Sequence, residues 1–61
     1  MRSGVLAALT REASPVVQVA MIDFLAAARA TEAQRQFERL SREAPHTTVR
    51  AAANRGLAQL L

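Results

Sequence analysis

Two phrases of the chain, about half its length apart, carry nearly the same pattern of apolar and polar positions. REASPVVQVA stands at 11–20 and REAPHTTVRA at 42–51. At an offset of 31 residues Leu9 aligns with Leu40, and at an offset of 32 Leu25 aligns with Leu57. Such periods are typical of stacked helical units. The pattern predicts one all-α domain over residues 1–61, with unit one at about 1–30 and unit two at about 31–61.

Cap residues in the first unit divide it into two helices. Ser3 can cap the first helix, which is expected to run to about Glu12. Ser14 followed by Pro15 is a strong start signal, because a hydroxyl caps the helix and proline suits its first position. The second helix is expected to run to about Arg29.

Similar signals divide the second unit. Thr31 opens the third helix, with Gln34 at the capping-box position. That helix is expected to end just before Pro45, and His46 or Thr47 caps the fourth. Because all connections are short, consecutive helices should lie antiparallel. The expected fold is therefore two stacked antiparallel helical hairpins.

Helical periodicity assigns a core face to the second and fourth helices. In the second helix the expected core face is Val17, Ala20, Met21, Phe24 and Ala28. In the fourth it is Val49, Ala52, Ala53, Gly56 and Leu60, and these residues should enclose a core with Leu6, Leu9, Phe37 and Leu40. Gly56 stands where the first unit has Phe24. It either makes room for a bulky neighbour such as Phe37 or is a tolerated helix defect.

The segments SPVVQVAMIDFL and HTTVRAAANRGLAQLL resemble the second helix of HEAT repeats. The matching positions are Pro15, Val17, Ala20 and Leu25, then Thr47, Val49, Arg50, Ala52 and Leu57. The resemblance covers the whole chain and implies a HEAT-type α-solenoid fragment. The family's turn aspartate is missing, and its arginine after valine is Gln18 in the first unit, so a continuous Asp–Arg ladder is in doubt.

A narrower resemblance is to the C-terminal HEAT segment of bacterial membrane-anchored anti-sigma-factor-like proteins. Their zinc-finger domain and transmembrane helix have no counterpart in these 61 residues. The sigma-binding function of that family therefore transfers to no residue here.

The resemblance to HEAT repeats implies that the second helix of each hairpin faces a protein partner. Opposite the expected core, the second helix carries the contact stripe, which we define as Gln18, Val19, Ile22 and Ala26. The alternative is that irregular packing buries this stripe within the fold. The other candidate partner-binding residues are Arg50, Asn54, Arg55 and Leu61. Asp23 and Arg55 occupy equivalent positions one repeat apart, so a contact between them is expected, worth at most about 1 kcal/mol.

The predicted function is non-enzymatic protein–protein interaction, as a scaffold module. The partner is a second copy in a two-fold dimer or neighbouring repeats of a longer chain. Two units are fewer than the roughly three that repeat stacks need. The sequence also ends on Leu60 and Leu61 without a polar capping helix, so either that end or the contact stripe is expected at the dimer interface.

The composition excludes most other kinds of functional site. The chain has no cysteine and one histidine, His46, which excludes disulfides and multi-His or thiolate metal sites. No catalytic group has a base and an orienting partner, no phosphate loop is present, and no cofactor is implied. The longest apolar stretch, near 20–28, is broken by Asp23 and is too short to span a bilayer. The first residues do not resemble a signal peptide, so none is expected. The sequence does not indicate a compartment.

A nucleic-acid-binding HEAT-like module is the alternative from a different class. The net charge is +3, carried by eight arginines and no lysine. Phosphate binding needs positive charge concentrated on one surface. In the third helix Arg35, Arg39 and Arg42 alternate with Glu38 and Glu43, so the sequence favours a protein partner.

Overall fold

Four α-helices make up the fold, in a computed structural model that describes the backbone of residues 2–61 and side chains from Gly4 onward. They are α1 (Arg2–Arg11), α2 (Pro15–Ala27), α3 (Gln34–Glu43) and α4 (Thr47–Leu60). A 3-10 turn, Thr31–Ala33, precedes α3. Strands are absent from this described part of the chain. The predicted all-α class and the four helices are confirmed.

The start of α2 is confirmed as predicted. The hydroxyl oxygen of Ser14 accepts a hydrogen bond from the backbone N–H of Val17 at 3.5 Å, and proline stands at the first helical position. In α1, by contrast, the helix already includes Ser3, whose side chain lies outside the described residues, so Ser3 does not precede the helix as a cap.

The end of α2 comes two residues earlier than expected. Arg29 takes a left-handed conformation, with a φ of 55°. Its N–H donates to the carbonyl of Ala26, and the N–H of Ala30 donates to that of Leu25 at 3.0 Å. This 6→1 and 5→2 pair is a Schellman termination, which satisfies two carbonyls that would otherwise be left over. The sequence does not predict this termination, because Arg29 stands at the left-handed position where helices usually have glycine.

The starts of α3 and α4 differ in part from expectation. The capping box at Gln34 is wrong, because the 3-10 turn delays α3 and its cap position falls on Ala33, without a side-chain hydrogen bond. His46 is the N-cap residue of α4, as one of the two predicted alternatives, but it makes no side-chain cap bond. The end of α3 just before the Ala44–Pro45 pair is confirmed.

Helix α4 is the centre of the packing. Both α2 and α3 pack along it, whereas α1 packs mainly against α2. The buried hydrophobic residues are Leu9, Ile22, Leu25, Ala26, Ala30, Ala33, Phe37, Ala44, Val49, Ala52 and Ala53. The predicted core face of α4 is confirmed for its first four residues, including Gly56, while Leu60 is half-buried.

The predicted core face of α2 is wrong for Val17, Ala20 and Phe24, whereas Met21 packs against the core as predicted. Val17 and Phe24 are 39% and 46% exposed, whereas Ile22 and Leu25 are fully buried. Only Gln18 and Asp23 of the 13 residues in α2 are polar, so the helix is apolar nearly all round and periodicity cannot select one face. Contact with α4 selects it instead.

Gly56 makes room for Phe37, as one of the two sequence-based interpretations had it. A Cβ atom at position 56 would lie 2.7 Å from Cε2 and 2.9 Å from Cδ2 of Phe37, and 3.3 Å from Cγ2 of Ile22. The ring of Phe37 is fully buried, so in a close-packed interior it can move only if its neighbours move too. The absence of a side chain at Gly56 therefore lets α3 and α2 both pack closely on α4.

We predict that Gly56→Ala lowers the free energy of unfolding by roughly 1–2 kcal/mol. Overpacking costs about 1–3 kcal/mol, and the better helix propensity of alanine offsets up to about 1 kcal/mol of that. Urea unfolding followed by circular dichroism measures the change. Combining Gly56→Ala with Phe37→Leu should cost less than the sum of the single variants.

Gly4→Ala is the matched control, because a Cβ at Gly4 has no atom within 4 Å. It should raise the free energy of unfolding, by up to about 1 kcal/mol. Equal stabilisation by both alanines would contradict the steric role of Gly56.

Candidate protein-interaction surface

The contact stripe predicted on α2 does not lie at the surface. Ile22 is fully buried, Ala26 is 2% exposed and Val19 is half-buried against the core. The side-chain amide of Gln18 donates to the carbonyl of Glu12 at 2.8 Å, which ties α2 to the end of α1. The stripe is the side of α2 that packs inside the fold, as the alternative interpretation held, and its expected exposure is wrong.

The candidate residues on α4 fall into two groups. Arg50 is half-buried, and its Nη1 donates to the carbonyl of Ala44, the C-cap residue of α3, at 2.6 Å. Arg50 therefore closes the α3–α4 connection and is not part of an open surface. Asn54 and Arg55 are exposed. Asn54 and Arg55 lie on the same helix as Arg50, but the three side chains do not form one site.

The predicted contact between the two units is confirmed. Nη2 of Arg55 lies 3.8 Å from Oδ1 of Asp23, and both side chains are about 60% exposed. An exposed pair at this distance contributes at most about 1 kcal/mol. Leu61 is 93% exposed at the far end of α4.

An apolar groove lies between α1 and α2, in the region where the periodicity of α2 predicts the hydrophobic core. It is open to solvent and has a volume of about 520 Å³. We call it the α1/α2 groove; its lining residues are Gly4, Val5, Ala8, Val17, Ala20, Met21 and Phe24. None of these residues is charged. The described lining of the groove is therefore suited to apolar contacts.

The exposed side of α2 continues the groove as a row of apolar residues. We call this row the α2 seam and define it as Val17, Ala20, Phe24 and Ala27, all of them exposed. Their spacing of three, four and three residues is that of coiled-coil a and d positions. Val16, 79% exposed, lies beside the seam. The seam has the spacing of a buried helix interface but has no partner helix within the described chain.

Three of the four seam residues are singled out by the periodicity of α2, but the environment predicted for them is wrong. Val17, Ala20 and Phe24 were expected in the core, and their periodicity is equally compatible with a second interface. The apolar character of both faces of α2 could have located the seam. In a small domain a helix packs against the core with one face only, so a second apolar face is left exposed.

The arginines are distributed over the surface and several bind groups of the chain itself. Nη1 of Arg29 donates to the carbonyl of Gln59 at 3.3 Å, and Nε of Arg39 lies 3.4 Å from Oε1 of Glu43. Arg50 and Arg55, among the described arginines, likewise contact oxygens of this chain. Their positive charge is therefore not gathered at one patch.

Other kinds of site have little basis in the described residues. Histidine and acidic residues there form no group of three that could hold a metal ion. A polar hollow of about 220 Å³ opens between α1 and α3, and its two charged side chains, Arg39 and Glu43, pair with each other. Of the described helices, none combines the length and apolar character needed to cross a membrane.

Comparison with known proteins gives no assignment. No protein-family model, curated protein or solved structure matches the chain.

We predict that Arg50→Ala lowers the free energy of unfolding by about 1.5–3 kcal/mol, the usual contribution of a hydrogen bond to a charged group. The variant leaves the carbonyl of Ala44 without its guanidinium donor. Arg50→Lys should recover only part of the loss, because an ammonium cannot reproduce the planar geometry. Chemical denaturation measures all variants.

Arg35→Ala, on the exposed side of α3, is the control for removing one positive charge. Its effect should stay within about 0.5 kcal/mol. If Arg50→Ala and Arg35→Ala were equally mild, the bond from Arg50 to Ala44 would not stabilise the α3–α4 connection.

Proposed function

We propose that the chain is a non-enzymatic protein-interaction module that uses the α1/α2 groove and the α2 seam to bind another polypeptide. The observation that carries the proposal is the exposure of Phe24 at 46% and Val17 at 39% within one continuous apolar surface. Scattered exposed apolar residues are ordinary, whereas contiguous exposed apolar surface is a feature of interaction sites and binding grooves.

The form of the surface supports a helical ligand. A groove between two helices, with apolar residues at helical spacing along one wall, accepts the apolar face of an amphipathic helix. The described lining offers no polar group to orient a small polar substrate, which ligand pockets usually provide. A polypeptide contact fits these features better than catalysis does.

The distribution of arginine also favours a protein partner over nucleic acid. Phosphate binding requires several cations on one face, and the cations of Arg50 and Arg55 are directed at oxygens of the chain. A duplex or single strand would find no charged side chain among the described lining of the groove.

We further propose that the two hairpins, α1/α2 and α3/α4, are HEAT-type units. Support comes from the packing of α2 along α4, the second helices of the two hairpins, and from the Val-Arg phrase at Val49 and Arg50. The resemblance to bacterial anti-sigma-factor-like proteins stays a prediction.

Site-specific photocrosslinking in cells tests the proposed function. A photoreactive phenylalanine analogue at Phe24 should form adducts with another polypeptide, because that side chain would lie at the contact. The same analogue at Arg35, on the exposed side of α3, is the control and should give none. Adducts that are equally abundant at both positions, or absent at both, would count against this surface.

A further inference from the structure

We propose that the occupant of this surface is a second copy of the chain, paired through antiparallel α2 seams about a two-fold axis. This inference rests on the proposed function and names the partner. Two features of the structure support it: complementary side-chain sizes along the seam and the absence of charge on it.

The sizes of the seam residues match one another when the helix is reversed. With a two-fold axis at the level of residue 22, Phe24 faces the partner's Ala20, and Val17 faces the partner's Ala27. Each large side chain then meets a small one, which is the alternation that allows facing layers to interdigitate. A parallel pairing would set Phe24 against its own copy and leave space between the alanines. The antiparallel pairing is also isologous, as a closed dimer requires.

The groove extends this match to α1. Ala20 lies in the wall of the α1/α2 groove, and Ala8 lines the same groove from α1. A phenylalanine side chain from the partner that lies over Ala20 would therefore enter the space between the two helices. The arrangement is a four-helix contact formed by α1 and α2 of both copies.

Charge does not oppose the pairing at the seam. Each copy carries a net charge of +3, which disfavours association in general, but the seam residues are all uncharged. Asp23 is the one charged residue of α2, and Arg55 compensates it from 3.8 Å away within the same copy.

Both helices have to take part in a stable contact because α2 alone is too small. A standard interface removes about 800 Å² from each partner, roughly a fifth of the 3894 Å² of accessible surface of this chain. A 13-residue helix is only about 20 Å long, so the α2 seam alone does not reach that size. A contact of that size therefore has to include α1 and the groove as well as the seam.

Light scattering and analytical ultracentrifugation of the 61-residue chain over a concentration series test the proposal. The mass should rise to that of a dimer as concentration increases.

Phe24→Ser should raise the dissociation constant at least about tenfold, as expected for an aromatic residue at the centre of an interface. Ala20→Leu should weaken the dimer too, because it fills the space for the partner's Phe24. Ala20 is exposed, so this variant retains the fold, which circular dichroism checks.

Leu61→Ser is the matched control, since Leu61 is the most exposed large apolar residue described outside the seam. It should leave the mass unchanged. Dissociation by Leu61→Ser and not by Phe24→Ser would overturn the proposal in favour of the α4 end. A chain that remains monomeric up to about 1 mM would also overturn it.

Engineered cysteines test the direction of the pairing, and the natural chain has no cysteine to interfere. A mixture of Val17→Cys and Ala27→Cys chains should form a mixed disulfide under mild oxidation, whereas Val17→Cys alone should not link to itself. Efficient self-linking of Val17→Cys would indicate parallel helices and overturn the register.

These results separate the two levels of inference. A monomeric chain whose position 24 still crosslinks to a different protein would overturn the second copy as partner and leave the proposed function standing. A monomeric chain with no adduct at position 24 would overturn both.

Discussion

The contact between Phe37 and the bare backbone at Gly56 is the constraint on which the rest of the fold depends. The ring lies so close to α4 that a single Cβ there would overlap it. Because Ile22 of α2 meets the same position, α4 holds α2 and α3 together at one point. The alanines at 52 and 53 extend this close contact along the helix. The core of this short chain is therefore made from a few large side chains placed against small ones.

The two hairpins distribute large and small residues in opposite ways. In the second hairpin the phenylalanine is on the first helix and the glycine on the second, and the ring is completely enclosed. In the first hairpin Phe24 is on the second helix, at the position equivalent to Gly56, and α1 opposes it with small residues that leave a groove. The second hairpin is thus fully packed, whereas the first hairpin is partly open between its two helices. That difference accounts for the exposed surface on α2.

The sequence predicts the elements of the fold better than it predicts the faces. Ser14 and Pro15 locate the start of α2, and the proline at 45 locates the end of α3, because these signals act on the adjacent backbone. Asp23 and Arg55 occupy equivalent positions in the two units. This equivalence correctly predicts their contact, because equivalent positions on neighbouring helices lie side by side. The burial of Ile22 and the exposure of Phe24 are not predictable in the same way. They depend on which neighbour α2 packs against, and α2 is apolar on both sides.

The packing of α1 mainly against α2 has a consequence for the stability of individual segments. Helices α2, α3 and α4 support one another, so the amide hydrogens at their centres should exchange most slowly, whereas α1 can detach in a smaller opening event. One wall of the groove exists only while α1 is docked. Anything that occupies the groove therefore binds the closed form alone and, by linkage, slows the exchange of the α1 amides. The amides of the first helix therefore report on whether the groove that its residues Gly4, Val5 and Ala8 help to line is occupied.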